Sequence, residues 1–175
     1  MGSITSLQSA RPVLTAPAPI AAHHDVSQFD CGKPPLNDWL RQRAHKNEGR
    51  ASRTFVVCEG QNVIAFYALS AGSVRHQEVP KALSRNMPSS IPVLVLGRMA
   101  VDLKYQGQKI GSFLLRDALQ RSLTVAGNVG ARAILVHAID QDVVPFYETY
   151  GFRPFPEGDL TLFLSISDVG KAVSS

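Results

Sequence analysis

A mixed α/β fold, a central sheet covered by helices on both faces, is the class this sequence predicts. Three observations predict it. Short runs rich in β-branched and aromatic residues recur along the chain. Two stretches of helical periodicity, 110–126 and 141–150, lie among the later strands, where neighbouring parallel strands need crossovers. Finally, 175 residues that are 45% hydrophobic and 18% charged suffice for one domain with a sizeable core and are too apolar for disorder.

Taken in order, residues 1–10 are small and polar and read as a loose terminus, 11–168 as a single domain and 169–175 as a loose tail. Residues 12–20 predict an edge strand, because Pro17 and Pro19 lack the donors a central strand requires. Residues 25–29 offer a short helical turn. Pro34 and Pro35 then open a helix over 36–47, with Leu36, Trp39, Leu40 and Ala44 on one face and Gly49 past its end. The β-rich runs 54–58 and 63–70 flank Glu59-Gly60-Gln61-Asn62, a hairpin signal, and the second run continues towards Arg75. Pro80, Pro88 and Pro92 make 77–92 mostly loop, with room for one helical turn.

Residues 93–101 form a strongly apolar strand interrupted by Gly97, which predicts a bulge or a close backbone approach. The clearest helix covers 110–126. Leu114, Leu115, Ala118, Leu119, Leu123 and Ala126 share one face, with Arg116, Asp117, Gln120 and Arg121 opposite. A buried-type strand follows at 131–138. Asp140 caps the helix at 141–150 and Gly151 stops it. Two closing strands, 152–155 and 160–166, complete the chain, which contains no internal repeat.

The net charge of +4 permits contact with anions without demanding it. Cys31 and Cys58 are too few for a disulfide scaffold or a zinc site, and read as buried thiols in a reducing cytoplasm. No apolar run approaches the length of a membrane helix, and the start lacks a secretory pattern. The expected location is therefore cytoplasmic.

The segment Tyr105-Gln106-Gly107-Gln108-Lys109-Ile110-Gly111 lies where a strand gives way to a helix. Free N–H groups at a helix start favour an anion, and small residues let a pyrophosphate approach the backbone. The spacing matches neither the loop of nucleotide hydrolases nor the dinucleotide fingerprint. Alone, such a turn is common in α/β proteins.

Its surroundings make it specific. Leu96-Gly97-Arg98-Met99-Ala100-Val101-Asp102 precedes the turn, Gly111-Ser112-Phe113-Leu114-Leu115 follows it, and Pro145-Phe146-Tyr147-Glu148-Thr149-Tyr150-Gly151-Phe152 comes later. The combination resembles the GNAT superfamily of acetyl-CoA-dependent N-acetyltransferases. Gln106 and Gly111 match its cofactor loop, and Phe146, Tyr147, Gly151 and Phe152 match its later helix. Lys109 departs from the glycine the family pattern carries. A narrower resemblance rests on Phe29-Asp30-Cys31-Gly32, Leu36-Asn37-Asp38-Trp39-Leu40, Arg43-Ala44 and Asn47. With Ser52-Arg53-Thr54-Phe55-Val56 and Val136-His137-Ala138, these look like GNAT-type toxins of toxin–antitoxin modules.

The resemblance implies a GNAT fold with a splayed, bulged strand, and acetyl-CoA as the cofactor. Met99, Ala100, Val101, Gln106, Gly107, Gln108, Lys109, Ile110, Gly111 and Ser112 would hold it. Tyr147 would be the acid that protonates the leaving sulfur. The acceptor would be the α-amine of aminoacyl-tRNA, its acetylation blocking translation. The partners would be a ribbon-helix-helix antitoxin and a second copy in a homodimer. An N-acetyltransferase for a small amine or a protein, and a catalytically degraded binding module, are the rival readings.

The chemistry needs a neutral amine, a polarised carbonyl and an acid for the thiolate. A phenol with a pKa near ~10 suits the last role. Tyr150 carries the same group in a poorer position, and Phe146 and Phe152 read as core. Glu48, Glu59, Glu78, Asp102 and His137 are candidate bases by residue type only. The α-amine of an aminoacyl ester, titrating below ~8, needs little help, whereas a lysine at about 10.4 would need a base. Residues 33–53 carry Lys33, Arg41, Arg43, Lys46, Arg50 and Arg53 against Asp38 and Glu48, which accounts for the whole net charge. A polyanionic acceptor would gain from that segment; the competing reading is a solvated helix face. Arg98 is a candidate contact to substrate or cofactor, with a buried structural arginine as the equal alternative.

Overall fold

A computed structural model describes residues 13–156 and 160–174. The expected loose terminus at 1–10 lies outside the described residues. Seven strands form one sheet: β1 (Ala18–Pro19), β2 (Arg53–Glu59), β3 (Asn62–Arg75), β4 (Ser90–Val101), β5 (Ala133–His137), β6 (Arg153–Pro154) and β7 (Thr161–Ser165). Their order is β1-β2-β3-β4-β5-β7-β6. Every neighbouring pair is antiparallel except β4 with β5.

That parallel pair needs a crossover, and the crossover is α4 (Ile110–Val129), after the shorter α1 (Pro34–Gln42), α2 (Ala44–Asn47) and α3 (Lys81–Ser84). The helices α5 (Val144–Thr149) and α6 (Ile166–Ser174) follow. On one face of the sheet, Ile110, Leu114, Leu115, Ala118 and Leu119 of α4 pack with Tyr67, Leu96, Ile134, Val136, Leu162, Leu164 and Val169 of α6. On the other, Leu36, Trp39 and Leu40 of α1 pack with Phe29, Val56, Phe66 and Ala100.

Several expectations change in detail. The first strand shrinks to two residues plus a bridge from Leu14 to Glu59, since prolines leave little to pair. Residues 25–29 form a turn, not a helix. The helix expected over 36–47 is interrupted at Arg43, whose φ of −119° is stretched well away from the ideal helical value. The tail expected to be loose is helical through Ser174, because Val169 is fully buried against the sheet. Asp117 and Arg121 turn towards the sheet. Tyr67 donates to Asp117, and Arg121 Nε donates to the same carboxylate at 2.8 Å.

Two backbone features position the site. The β3–β4 register skips Gly97, since Ala68 faces Arg98 while Leu69 faces Leu96. Gly97 is thus the expected bulge, and a Cβ there would meet nothing within 4 Å. The β4–β5 ladder covers only Val93–Leu96 paired with Ala133–Val136, while β4 runs on to Val101. The two strands diverge, and their unpaired ends open a V in the sheet.

Candidate functional site

A cavity of about 460 Å³ occupies the mouth of that V. Met99, Ala100 and Val101 of β4 form one wall, with Ile139, Val143 and Phe146 opposite and Cys31, Gly32, Lys33 and Leu36 above them. Gln106 and Gly111 lie at its outer end, where α4 begins. Gly107 (φ 80°) and Lys109 (φ 65°) both turn left-handed to bring the chain into the helix. Phe113 N–H makes the helix bond to Lys109 O at 3.1 Å, so the N–H groups of Ile110, Gly111 and Ser112 precede the ladder and face outwards. A Cβ at Gly107 would meet nothing within 4 Å, leaving the approach to these donors open.

The loop from Phe29 to Lys33 is bound to this turn. Asp102, itself buried, accepts from the N–H groups of Asp30 (3.0 Å) and Lys104 (2.9 Å). Asp30 accepts from Gly32 N–H and Asn37 Nδ2, and Asn37 accepts from Cys31 N–H. Gln106 Nε2 donates to Val101 O (2.9 Å) and Cys31 O (3.2 Å). Its amide therefore serves as a strut between the β4 end and that loop.

A second cavity, about 390 Å³, adjoins the first and shares Leu36 and Ile139 with it. Pro35, Trp39, Ser70, Val95, Gly97, Arg98 and His137 complete its lining. The Arg98 guanidinium lies over the Trp39 ring, 4.6 Å from its centroid, and Trp39 stacks in turn on Phe66. His137 Nδ1 is 3.0 Å from Thr161 Oγ1.

Tyr147 is 7% exposed, with its ring edge-on to Phe146 and Phe152. Burial pushes its phenol pKa up to about 12. Phe152 is core as expected, whereas Phe146 is half-buried and lines the cleft. The candidate bases are mostly engaged. Glu48 accepts from Thr54 N–H and Arg53, Glu59 from Tyr105, and Asp102 holds the loop described above.

The cations expected on one surface are not gathered around one cavity. Lys33 pairs with Asp140 across the cleft mouth at 2.7 Å, a bond that raises the lysine pKa and lowers the carboxyl pKa. Arg41 donates to Phe29 O, and Arg53 pairs with Glu48 at 3.3 Å. Arg50 and Arg53 line a separate cavity of about 530 Å³ beside Phe55, Leu94, Arg121 and Val125, on the α4 face. Arg43, Lys46 and Arg50 remain exposed.

Residues 50–154 match the family model of the acetyltransferase (GNAT) domain. The chain is 44% identical over 155 residues to the tRNA-acetylating toxin of Mycobacterium tuberculosis (strain ATCC 25618 / H37Rv), covering 88% of this chain and 93% of that one. The chain belongs to the GNAT acetyltransferase family. A solved structure of AtaT complexed with acetyl-methionyl-tRNAfMet superposes with a TM-score of 0.82 at 26% identity, covering 91% of this chain and 98% of that one. AtaTR bound with AcCoA gives 0.79 at 26% identity, over 90% and 96% of the two chains.

As a GNAT acetyltransferase the chain uses acetyl-CoA, and the residues present fit it. The turn offers three outward N–H groups at a helix start with unobstructed access, as a pyrophosphate requires. Behind the turn, the apolar cleft between Met99–Val101 and Phe146 suits a slender amide-bearing arm. Beyond Leu96 the edge of β4 that faced β5 is no longer paired with it, which leaves that edge to the arm. Periodicity placed Trp39 in the core and gave no signal for Ile139, Val143 or the Lys33–Asp140 pair.

Proposed function

We propose that this acetyltransferase acetylates the α-amino group of aminoacyl-tRNA, and so acts as a toxin that blocks translation. The observation that carries the reading is the pair of adjoining cavities, a cofactor cleft opening onto a pocket with Trp39 and Arg98, in a chain 44% identical to a tRNA-acetylating toxin. Bound acetyl-CoA supplies a thioester, whose C–S bond is exchanged for a C–N bond; the amine loses one proton and the sulfur leaves as a thiol. Tyr147 holds the proton that the sulfur receives. Its buried phenol stays protonated far above neutral pH, which an acid of this kind requires. The engaged carboxylates agree with an acceptor that deprotonates unaided, and an aminoacyl ester amine does so near neutral pH.

Arg43, Lys46 and Arg50 are the cations left to meet the tRNA backbone, with Arg98 at the acceptor end. The partners on this reading are a ribbon-helix-helix antitoxin and a second copy of the chain. The test incubates the protein with acetyl-CoA and a mixed pool of charged tRNAs, then weighs the released aminoacyl adenosines. An adduct heavier by one acetyl group less the hydrogen it replaces supports the reading. No adduct on any of them, with acetyl-CoA still bound, overturns it in favour of a small-amine or protein acceptor.

A further inference from the structure

We infer that Phe113 is the stacking platform for the adenine ring of acetyl-CoA. Phe113 is 53% exposed, and among the described residues every other phenylalanine, tyrosine and tryptophan is buried or half-buried. It contributes nothing to the packing of α4, whose buried face is Ile110, Leu114, Leu115, Ala118, Leu119 and Ser122. The ring instead shares the outer face with Lys109 four residues before it and Arg116 three after. An apolar residue here breaks the polar stripe that an amphipathic helix puts in water, where lysine or glutamine would serve the helix better.

Its place relative to the turn gives the ring a use. Side chains on a helix lean towards its N-terminus, so a residue covers the turn preceding its own Cα. The Phe113 ring is therefore expected to lean back towards the turn that opens α4, on the side of the N–H groups of Ile110, Gly111 and Ser112. A cofactor whose pyrophosphate were held there would have its adenosine attached on the side of this exposed ring. Aromatic faces stack on any nucleobase. Lys109, with no ion pair among the described residues, sets a cation beside the same spot for the phosphates. The inference rests on the cofactor that the family assigns, and not on the identity of the acceptor.

The test measures binding by calorimetry for the full chain and two ligands, acetyl-CoA and S-acetyl-4′-phosphopantetheine, which lacks the whole 3′-phosphoadenosine 5′-phosphate half and keeps one phosphate of the pyrophosphate. Phe113→Ala is expected to weaken acetyl-CoA about 5- to 50-fold and to leave the shorter ligand unchanged. Phe113→Trp is expected to restore acetyl-CoA affinity. Its added indole fluorescence, after subtraction of the Trp39 signal, falls on titration with acetyl-CoA and not with the shorter ligand. Unchanged acetyl-CoA affinity in Phe113→Ala overturns the inference. So does an equal loss for both ligands, which would mark a damaged helix start. A wild-type chain that binds neither ligand removes the cofactor reading, and the inference with it.

Discussion

Lys109 carries the prediction whose magnitude follows most directly from the backbone. With φ 65° and ψ 16° it sits in the left-handed region at the start of α4. A lysine there costs about 1–2 kcal/mol, because its Cβ crowds the following carbonyl oxygen. Glycine escapes that cost but gives up about 0.4–1 kcal/mol of unfolded-chain entropy relative to alanine. Lys109→Ala keeps the strain and deletes the ammonium, whereas Lys109→Gly deletes both. The glycine variant should therefore be more stable than the alanine variant by roughly 0.5–1 kcal/mol, about 1–4 °C in Tm for a chain of this size. Denaturant titration checks the same difference at constant m. Calorimetry with CoA then isolates the charge: both variants should bind about 2- to 5-fold more weakly at low salt and approach the wild type at high salt. An alanine variant as stable as the glycine variant would refute the reasoning, because the position would then carry no left-handed cost.

Further outcomes are expected elsewhere. Tyr147→Phe should lower the acetylation rate about 10²-fold or more while calorimetry finds acetyl-CoA affinity within twofold of wild type. Since burial raises this phenol to about 12, the wild-type rate should climb as the acceptor amine deprotonates below ~8 and show no falling limb before about pH 10; a limb near pH 9 would contradict the assignment. The folded state binds this proton more tightly than the unfolded one. Stability contributed by the phenol should thus decline as pH rises from about 10 towards the folded value. Replacing Arg43, Lys46 and Arg50 together with alanine should reduce the slope of log affinity for tRNA against log salt by about 2–3, with CoA binding unaffected; an unchanged slope would move the tRNA elsewhere. Ser122→Ala removes a fully buried hydroxyl with no protein partner among the described residues. It should raise Tm by about 2–4 °C, the effect of roughly 1 kcal/mol in a chain of this size.

The parts of the fold that follow from local chemistry were legible in the sequence. The α4 stripe, the hairpin at Gly60 and the bulge at Gly97 each depend on residues close in sequence, and each formed where periodicity and turn chemistry put it. The misjudged elements depend on distant surfaces. The sequence of α6 reads as a tail until β7 and the face of α4 exist for Val169 to bury against. Asp117 and Arg121 read as a solvent face because their i,i+4 spacing suits one. The hydroxyl of Tyr67, fifty residues away, turns them inwards.

The same distinction separates the two halves of the site. The proposed cofactor half is a continuous strand, turn and helix start, and five of its ten expected residues, Met99, Ala100, Val101, Gln106 and Gly111, line the cleft. The motif does not tell what the Gln106 amide bonds to, because its partners Val101 O and Cys31 O come from two separate segments. The acceptor half is assembled from separate segments. A charge count over residues 33–53 sums cations without seeing their partners. Three of its six basic side chains are engaged, Lys33 by a carboxylate 107 residues away, Arg41 by a backbone carbonyl and Arg53 by Glu48. Only a basic side chain with no acid at hand retains its full gain on meeting a phosphate, since an existing pair must first be broken. The excess of +4 therefore describes the chain correctly and overstates the surface available to a polyanion, and Arg43, Lys46 and Arg50 are where that excess remains to be used.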